Sequence, residues 1–480
     1  MSRPRNINPD GFPVRRVGLV YSPITRGVPL LSAIERAQQR PGLGLRYLKA
    51  VLEERGVEVD IHDNLYNPAA SLKVHEALNA GRYDLVGFHS TSASRKTACE
   101  TISRLDADWY RGRVLAGGPG ALHAGELLEA GVDVVVHGEG ETAMVELLRA
   151  YSGDMPFSSI KGLSYIDGEG NRVDTGEPEP VDLTQLPFPS WERTEGGPTS
   201  GDMLNITLKR PFFVVMGSRG CPFRCGFCAS HQLWRRRYRP RPVENVLDEV
   251  EWLISTHGAR YVHFLDDIFG MSPGWADAFC DGMERRRLKV EFAVVLHPMS
   301  FKNERRRILG RLRDVGCRLV SLGAQSADPG VLRAIRRSPR EPEGFREAVA
   351  VANELGIVSV LTFIFGLPGD TDDSIRRTVD FVNEVKPTVV DFHPLLYLPG
   401  SEIAESMDPS KFCRLTTEEI NRWCMRASFE YYVLHGGGLR VLSYLVFRNP
   451  GWFVNLVPIG SYLAEYLGLM SDRRDTRRFL

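Results

Sequence analysis

The chain has 480 residues, too many for one ordinary core, so two to four domains are expected at roughly 100–200 residues each. Its hydrophobic fraction of 43% and charged fraction of 25% are those of a soluble globular protein. Sixty Lys and Arg, only nine of them Lys, balance sixty Asp and Glu; this excludes a global field that would draw the chain to nucleic acid, and no run of about 18 apolar residues suggests an integral membrane segment.

The opening MSRPRNINPDGFPVRR lacks the apolar centre of a signal peptide. Short apolar runs then alternate with helical patterns. VGLVYS (17–22) precedes a helix through LRYLKAVLEERG, and VEVDIHD (57–63) precedes one near 70–80. DLVGFHS (84–90) precedes one near 93–104, VLAGG (114–118) leads into ALHAGELLEAG, and VDVVVHG (132–138) into ETAMVELLRAY. This is an α/β pattern: residues 1–150 are expected to form a doubly wound, Rossmann-like domain whose ligands sit at the carboxyl ends of its strands. Residues 151–204 read as a linker, with a hairpin at SYIDGEGNRVDT and a proline-rich stretch, GEPEPVDLTQLPFPSWE. A second series covers 205–400: FFVVMG (212–217), YVHFLDDIF (261–269), VEFAVVLHP (290–298), RLVSLGAQS (318–326), VSVLTFIFGLPG (358–369) and TVVDFHPLLYLPG (388–400). Six strands with five helices between them suit an open, partial parallel (β/α)6 barrel. Residues 401–480 read as a small helical C-terminal domain. Its apolar stretch contains Trp452, Phe453, Tyr462 and Tyr466 and is cut by Arg448, Asn449 and Pro450.

Eight cysteines make no disulfide framework, and five of them (Cys99, Cys280, Cys317, Cys413, Cys424) stand alone as small buried apolar residues would. The other three, in GSRGCPFRCGFCAS, follow the first strand of the second series as C-x3-C-x2-C. Cys221, Cys225 and Cys228 are too close in sequence to serve separate centres. Thiolates are the preferred ligands of iron–sulfur clusters, and with no fourth local Cys one iron stays open to a small molecule. The alternative is a zinc site closed by a distant Cys or His, although zinc loops more often use two C-x2-C halves. Either reading suits a reducing, cytoplasmic setting. No nucleophilic triad, H-E-x-x-H or G-x-G-x-x-G is present.

CPFRCGFC at the first strand-loop of a partial barrel resembles the radical S-adenosylmethionine (SAM) superfamily. The resemblance implies a 4Fe-4S cluster on the three Cys, with SAM on the open iron and reductive cleavage of SAM to a 5′-deoxyadenosyl radical. It further implies that Phe227 lies near the adenine, that Asp266 and Asp267 in HFLDDIFG are the candidates to meet the SAM amino group, and that Gln325 and Ser326 in SLGAQS contact its ribose or methionine part. Gly366 and Gly369 in FIFGLPGD would lie near the adenine or serve as turn glycines, and Arg239 and Arg241 in RRRYRPRPVENV would face the active cavity or form a solvated basic run. The N-terminal domain and LTQLPFPSW together resemble the cobalamin-binding branch. In that branch cobalamin would meet the strand ends Ser90-Thr91-Ser92, Gly117-Gly118 and Gly138-Glu139-Gly140, where glycines allow close backbone approach. The loop after the first strand, SPITRGVPL, has no histidine, and Asp60-Ile61-His62 is followed by Leu65 rather than Gly; cobalt would therefore bind without a His ligand, as in most members of that branch. His297, Asp391, His393 and Tyr397 are catalytic candidates only because they fall at the carboxyl face of a parallel barrel.

The resemblance implies a cobalamin-dependent methyltransferase acting on an unactivated carbon of a small molecule, such as an antibiotic or other secondary metabolite, with an external flavodoxin- or ferredoxin-type electron donor. An unactivated C–H bond has neither an acidic proton nor a lone pair, so polar methyl transfer cannot reach it and a primary carbon radical can. The alternative keeps the radical step without methyl transfer: dehydration of an aminoglycoside diol, cyclisation or rearrangement. A transfer-RNA methylthiotransferase would favour N-terminal cysteines and a basic tail, whereas Cys99 is the only cysteine before Cys221. An electron carrier would not need two large α/β domains.

Overall fold

Two parallel sheets organise the chain in a computed structural model that describes residues 13–22, 42–63, 80–92, 94–105, 113–191, 209, 211–338, 342–406 and 413–448. The first sheet runs β1 (Arg16–Tyr21), β2 (Glu58–Asp63), β3 (Leu85–His89), β4 (Arg113–Gly117) and β5 (Val134–Val136) in the spatial order β2-β1-β3-β4-β5, all parallel. Its inner strands β1, β3, β4 and β5 are short, mainly apolar runs because both faces are covered, whereas the edge strand β2 (EVDIHD) alternates apolar and polar residues. Val17 and Leu19 of β1 point to one face, where α1 (Leu43–Glu53) and α4 (Gly140–Tyr151) pack Leu45, Leu52 and Leu147 on them. Val20 points to the other, with Phe88, Ile102 and Leu127 from β3, α2 (Arg95–Ser103) and α3 (Ala124–Glu129). This is the doubly wound arrangement expected.

The hairpin assigned to a linker is instead the edge of this sheet. β6 (Leu163–Ile166) pairs antiparallel with β5 and with β7 (Arg172–Asp174), which buries Leu163 and Tyr165 beside Phe157 and Ile160. The proline-rich stretch is packed too. Trp191 reaches the barrel core, edge-on to Phe213 at 5.1 Å, while the Arg46 guanidinium of α1 lies 4.3 Å over its ring.

The second sheet is the partial barrel. Its strands are β8 (Phe212–Val215), β11 (Tyr261–Phe264), β12 (Glu291–Leu296), β13 (Cys317–Gln325), β14 (Val358–Phe365) and β15 (Val389–Pro394), parallel and adjacent in sequence order. The two-stranded pair β9 (Ser218–Arg219) and β10 (Arg239–Pro240) lies between β8 and β11 in sequence, with the short α5 (Ser230–Trp234) between its strands. Helices cover the outside. In α6 (Val243–His257) the buried Val246, Leu247, Val250 and Leu253 recur at helical spacing, and Gly258 at φ 65° ends the helix. α7 (Pro273–Arg285), α8 (Arg305–Asp314), the short α9 (Pro329–Ala334), α10 (Glu343–Glu354) and α11 (Asp372–Val385) complete the layer; α11 opens on a capping box between Thr371 and Ser374. After α12 (Glu402–Ser406), the described C-terminal part, α13 (Thr417–Phe429) and α14 (Gly437–Arg448), joins the barrel instead of standing apart: Cys424, Ala427 and Tyr431 belong to the barrel core. The helix expected near 70–80, the SPITRGVPL loop beyond Ser22, and Trp452, Phe453, Tyr462 and Tyr466 lie outside the described residues.

Candidate active site

The cysteine loop is closed at its base and pinned on both flanks. β9 and β10 bracket it, with Arg219 paired opposite Arg239. Gly220 (φ 91°) starts it where a Cβ would meet the Arg237 carbonyl at 2.0 Å, so only glycine fits. The Gly226 N–H donates to the Ile335 carbonyl (2.8 Å), and the Gly226 carbonyl accepts from the Ile403 N–H (3.0 Å). Cys225 is buried, Cys221 and Cys228 half-buried. Burial pushes the Cys221 thiol up to about 11, and Cys225, Cys228 and Asp267 are close enough to add to that rise. Three thiols that feel one another are poised for a cationic centre that would draw off their protons. Among the described residues, no three His, Cys, Asp or Glu side chains close on one point as ligands of a single ion would. Thiolates on three different irons of a cube need not do so.

Arg337, which the sequence reading missed, is the cation at this loop. It is buried, and its Nη1 donates to Cys225 Sγ (3.6 Å) and its Nη2 to the Gly323 carbonyl. Its Nε has no partner, and no carboxylate pairs with it among the described residues. A buried guanidinium without a counter-ion beside three thiols is suited to an anionic ligand. The arginine pair Arg336-Arg337 within RAIRRSPR was the available signal.

His297, at the end of β12, stacks on Phe223 of the cysteine loop (centroids 3.8 Å apart, planes 12°). Its Nδ1 accepts from the Met299 N–H (3.2 Å), which leaves the proton on Nε2, and Nε2 has no partner. Burial, then Arg337, pushes the imidazolium down to about 2. His297 is thus a fixed neutral donor, unsuited to shuttling protons.

The remaining SAM candidates divide. Phe227 packs with Ile335, Ile364, Leu367, Leu395 and Ile403 in a small apolar cluster beside the loop. Asp267 is exposed at the cleft, accepts from Ser230 Oγ (3.2 Å), and lies near Cys221. Gln325 sits at a register shift between β13 and β14 with φ 71°, a strained backbone that turns a side chain out of the ladder. Asp266, however, is turned inward. It accepts from the Gly217 N–H (2.9 Å) and Ser218 Oγ (2.5 Å), and burial lifts it to about 7. Ser326 is buried against Thr378 (3.4 Å) and accepts from the Asp328 N–H (3.1 Å). Gly366 and Gly369, at φ 90° and 87°, are turn residues: Asp370 caps the turn by accepting from the Gly366 and Leu367 N–H groups (2.9 Å each), and burial raises it to about 6.

Strand register fixes the lumen wall. Thr362 pairs with Asp391 and Ile364 with His393, so these four share the face opposite Phe363 and Phe392. The Asp391 carboxylate is raised by burial, eased by His393, and takes no hydrogen bond or ion pair among the described residues. Tyr397 lies elsewhere, in a cleft with Cys413, Leu415 and Ile420.

A second cavity, about 1080 Å³ including its mouth, opens at the carboxyl ends of β3, β4 and β5. Gly87, His89, Gly117, Gly118 and Gly138-Glu139-Gly140 line it, whereas Ser90, Thr91 and Ser92 do not. Ser90 is interior, and Thr91 and Ser94 cap each other at the start of α2. Six glycines (Gly44, Gly87, Gly117, Gly118, Gly138 and Gly140) line it among apolar side chains such as Leu45, Leu48, Leu115 and Met144, and glycines at the strand ends let a broad flat group approach the backbone closely. His89, also missed, stacks on Tyr21 at 4.3 Å; burial lowers it to about 4, and no hydrogen bond of ordinary geometry reaches its Nδ1. His62, by contrast, bonds Tyr83 Oη (2.8 Å) inside the fold, so it is a strand-end residue. The far wall comes from the barrel: Met216, Arg219, Leu233 and Trp234.

Arg239 and Arg241 do not face the barrel lumen. Arg239 donates to Glu139 Oε2 (2.6 Å) and the Val181 carbonyl (2.8 Å). Arg241 donates to Glu249 Oε2 (2.5 Å) and the Met216 carbonyl (2.8 Å). Both are held by carboxylates behind the cysteine loop.

Residues 215–382 match the radical SAM superfamily and residues 31–148 the B12 binding domain. An uncharacterised methyltransferase of Pyrococcus horikoshii is 27% identical over 454 residues, covering 89% of this chain and 95% of that protein. The anaerobic magnesium-protoporphyrin IX monomethyl ester cyclase of Cereibacter sphaeroides is 26% identical over 375 residues, 76% of this chain and 60% of that one. The radical SAM methyltransferase TsrM of Kitasatospora setae, solved with cobalamin and a [4Fe-4S] cluster, superposes with a TM-score of 0.64 at 21% identity, over 81% of this chain and 74% of that one; this is a likeness of fold.

Proposed function

We propose, from the premise that the chain belongs to the radical SAM superfamily and carries a B12-binding domain, that it methylates an unactivated carbon of a small molecule. One observation carries the reading: the cavity at the carboxyl ends of the first sheet is walled on its far side by Met216, Arg219 and Trp234, the residues that flank and form the cysteine loop. A group bound there lies against the segment that carries Cys221. The residues present fit the groups implied. Three mutually close thiols suit a cluster, Arg337 and the Nε2–H of His297 suit the carboxylate of SAM, and the glycine wall suits a corrin face. When bound, the cluster and SAM supply a primary carbon radical and the corrinoid a transferable methyl group.

This chain's own residues bind, orient and exclude water. Arg337 holds a carboxylate while its Nη1 stays on Cys225, so ligand and cluster loop are fixed to one guanidinium. Phe227, Ile335, Leu367 and Ile403 give an aromatic ring a dry seat. Thr362, Asp391 and His393 present the polar part of the lumen to the substrate. The similarity to a cyclase favours, as a second reading, the same radical step with ring closure in place of methyl transfer. Anaerobically reconstituted protein with SAM, a low-potential reductant and hydroxocobalamin separates the two. Methylcobalamin and S-adenosylhomocysteine formed together with 5′-deoxyadenosine support methyl transfer. Deoxyadenosine alone, with no cobalt retained, leaves the second reading and refutes the first.

A further inference from the structure

The cysteine loop is braced from outside its own barrel. Arg219, two residues before Cys221, and Arg239, which closes the loop, face each other across β9 and β10. Like charges directly opposite in a strand pair repel, so this closure needs a counter-charge. The first domain provides it. Glu139, at the start of α4, accepts from Arg219 Nη1 with one oxygen and from Arg239 Nη2 (2.6 Å) and the Val181 N–H (3.0 Å) with the other. Glu141 takes Arg219 Nη2 at 2.7 Å. The side chains of Arg219, Glu139 and Glu141 are all about 5–6% exposed. Arg219 also lies over the Tyr47 ring of α1 at 5.3 Å. Every contact but that of Val181 joins the corrin-side domain to the two strands that pinch the loop.

We propose that Glu139 is a positioning residue for the cysteine loop: it holds Arg219 and Arg239 together, and so holds Cys221, Cys225 and Cys228 in a cluster-binding arrangement that the barrel alone does not maintain. The proposal rests on the reading of those cysteines as cluster ligands. Removing that charge leaves Arg219 with Glu141 alone and takes from Arg239 its carboxylate partner, so the two guanidinium groups are no longer tied through one residue and the loop opens. Because Glu139 and Arg219 also line the glycine-walled cavity, a group filling that cavity presses on the same neck.

The test compares the full chain with Glu139→Gln, which keeps an acceptor for Val181 but not the charge. In the apo-proteins, trypsin cuts at Arg235, Arg236 and Arg237 are timed by mass spectrometry. After anaerobic reconstitution, loss of the cluster's visible absorbance to a ferrous chelator is timed. Both are expected about tenfold faster in the variant, a change of about 1.4 kcal/mol, with the unfolding temperature within a few degrees of wild type. Unchanged cutting within 235–237, or cutting that accelerates equally across the chain, overturns the brace. Should Glu139→Gln melt early, Arg239→Lys, which keeps the charge opposite Arg219 but loses the fork that grips Glu139 and the Val181 carbonyl, is judged by the same two outcomes. If wild type itself takes up no iron, the cluster reading fails, and the protease comparison alone decides the brace.

Discussion

Replacing Arg337 by Met removes the buried cation that touches Cys225 while keeping most of the side-chain volume. In the structure its guanidinium is buried, bonded to Cys225 Sγ and the Gly323 carbonyl, with Nε free and no carboxylate partner among the described residues. If it holds the carboxylate of SAM, each charge-assisted bond lost weakens binding by about 1.5–3 kcal/mol. At about 1.4 kcal/mol per tenfold, one bond corresponds to about 10–150-fold in Kd. The assay is equilibrium binding of SAM to the reconstituted, oxidised cluster, followed by the change in the cluster's spectrum. Arg337→Lys is expected to recover part of the loss, since it keeps the charge but not the fork. Thermal unfolding of the apo-variant separates binding from folding. A Kd within twofold of wild type, in a variant that retains iron, would refute the assignment and leave Arg337 as a structural tie between the loop and β13.

Three further outcomes are expected. Cys225→Ala should abolish iron loading and deoxyadenosine formation together, measured by iron assay and chromatography; retention of either sinks the cluster reading. Asp266, lifted to about 7 by burial, binds its proton more tightly folded than unfolded, so its contribution to stability is complete below about pH 4 and is lost as pH rises toward about 7. Asp266→Asn should therefore gain on wild type across that window, by up to about 4 kcal/mol at about 1.36 kcal/mol per pH step, read from denaturant unfolding of the apo-proteins at both ends; parallel pH profiles would contradict it. His297, pushed down to about 2, stays neutral over the working pH range, so His297→Phe should keep the stack on Phe223, lower SAM affinity, and leave the pH–rate profile unshifted; a lost acidic limb would show that it titrates.

Strand runs and the cysteine spacing were legible because each is local. A continuous apolar run such as VGLVY is buried on both faces wherever it lies in a doubly wound sheet, and C-x3-C-x2-C constrains its own loop. The hairpin at 163–174 was misplaced because its turn is local but its partner, β5, is not: pairing with Val134–Val136 depends on register that periodicity does not carry. The inward placement of Asp266, Ser326, Arg239 and Arg241 has one origin. Sequence position puts a residue at a strand end, but whether its side chain turns into the lumen or back into the scaffold depends on nearby partners, here the donors Gly217 and Ser218 for Asp266 and the acceptor Glu249 for Arg241. Arg337 and His89 were missed for the converse reason: neither belongs to a motif, and each matters through what three-dimensional packing leaves it without.

The seam between the two domains shows why charge, and not more apolar surface, was placed there. Glu139 and Glu141 of the first domain stand against Arg219 and Arg239 of the barrel, two of each sign, with every side chain but that of Arg239 buried, and the buried Arg241–Glu249 pair lies within the barrel itself. Burying such pairs adds little net stability, because desolvation offsets most of the attraction. An apolar seam of equal area would hold as firmly but would tolerate small slips, since dispersion has no direction. Fork-shaped guanidinium groups gripping two carboxylates do not: a shift of an ångström leaves a buried charge unpaired, at a cost of several kcal/mol. The cavity shared by glycine-lined strand ends and the cysteine neck is therefore held in one pose. That fixed pose is what a reaction needs when one substrate carbon must meet a radical from the barrel side and a methyl group from the sheet side, because a misplacement of about 1 Å can cost a hundredfold in rate.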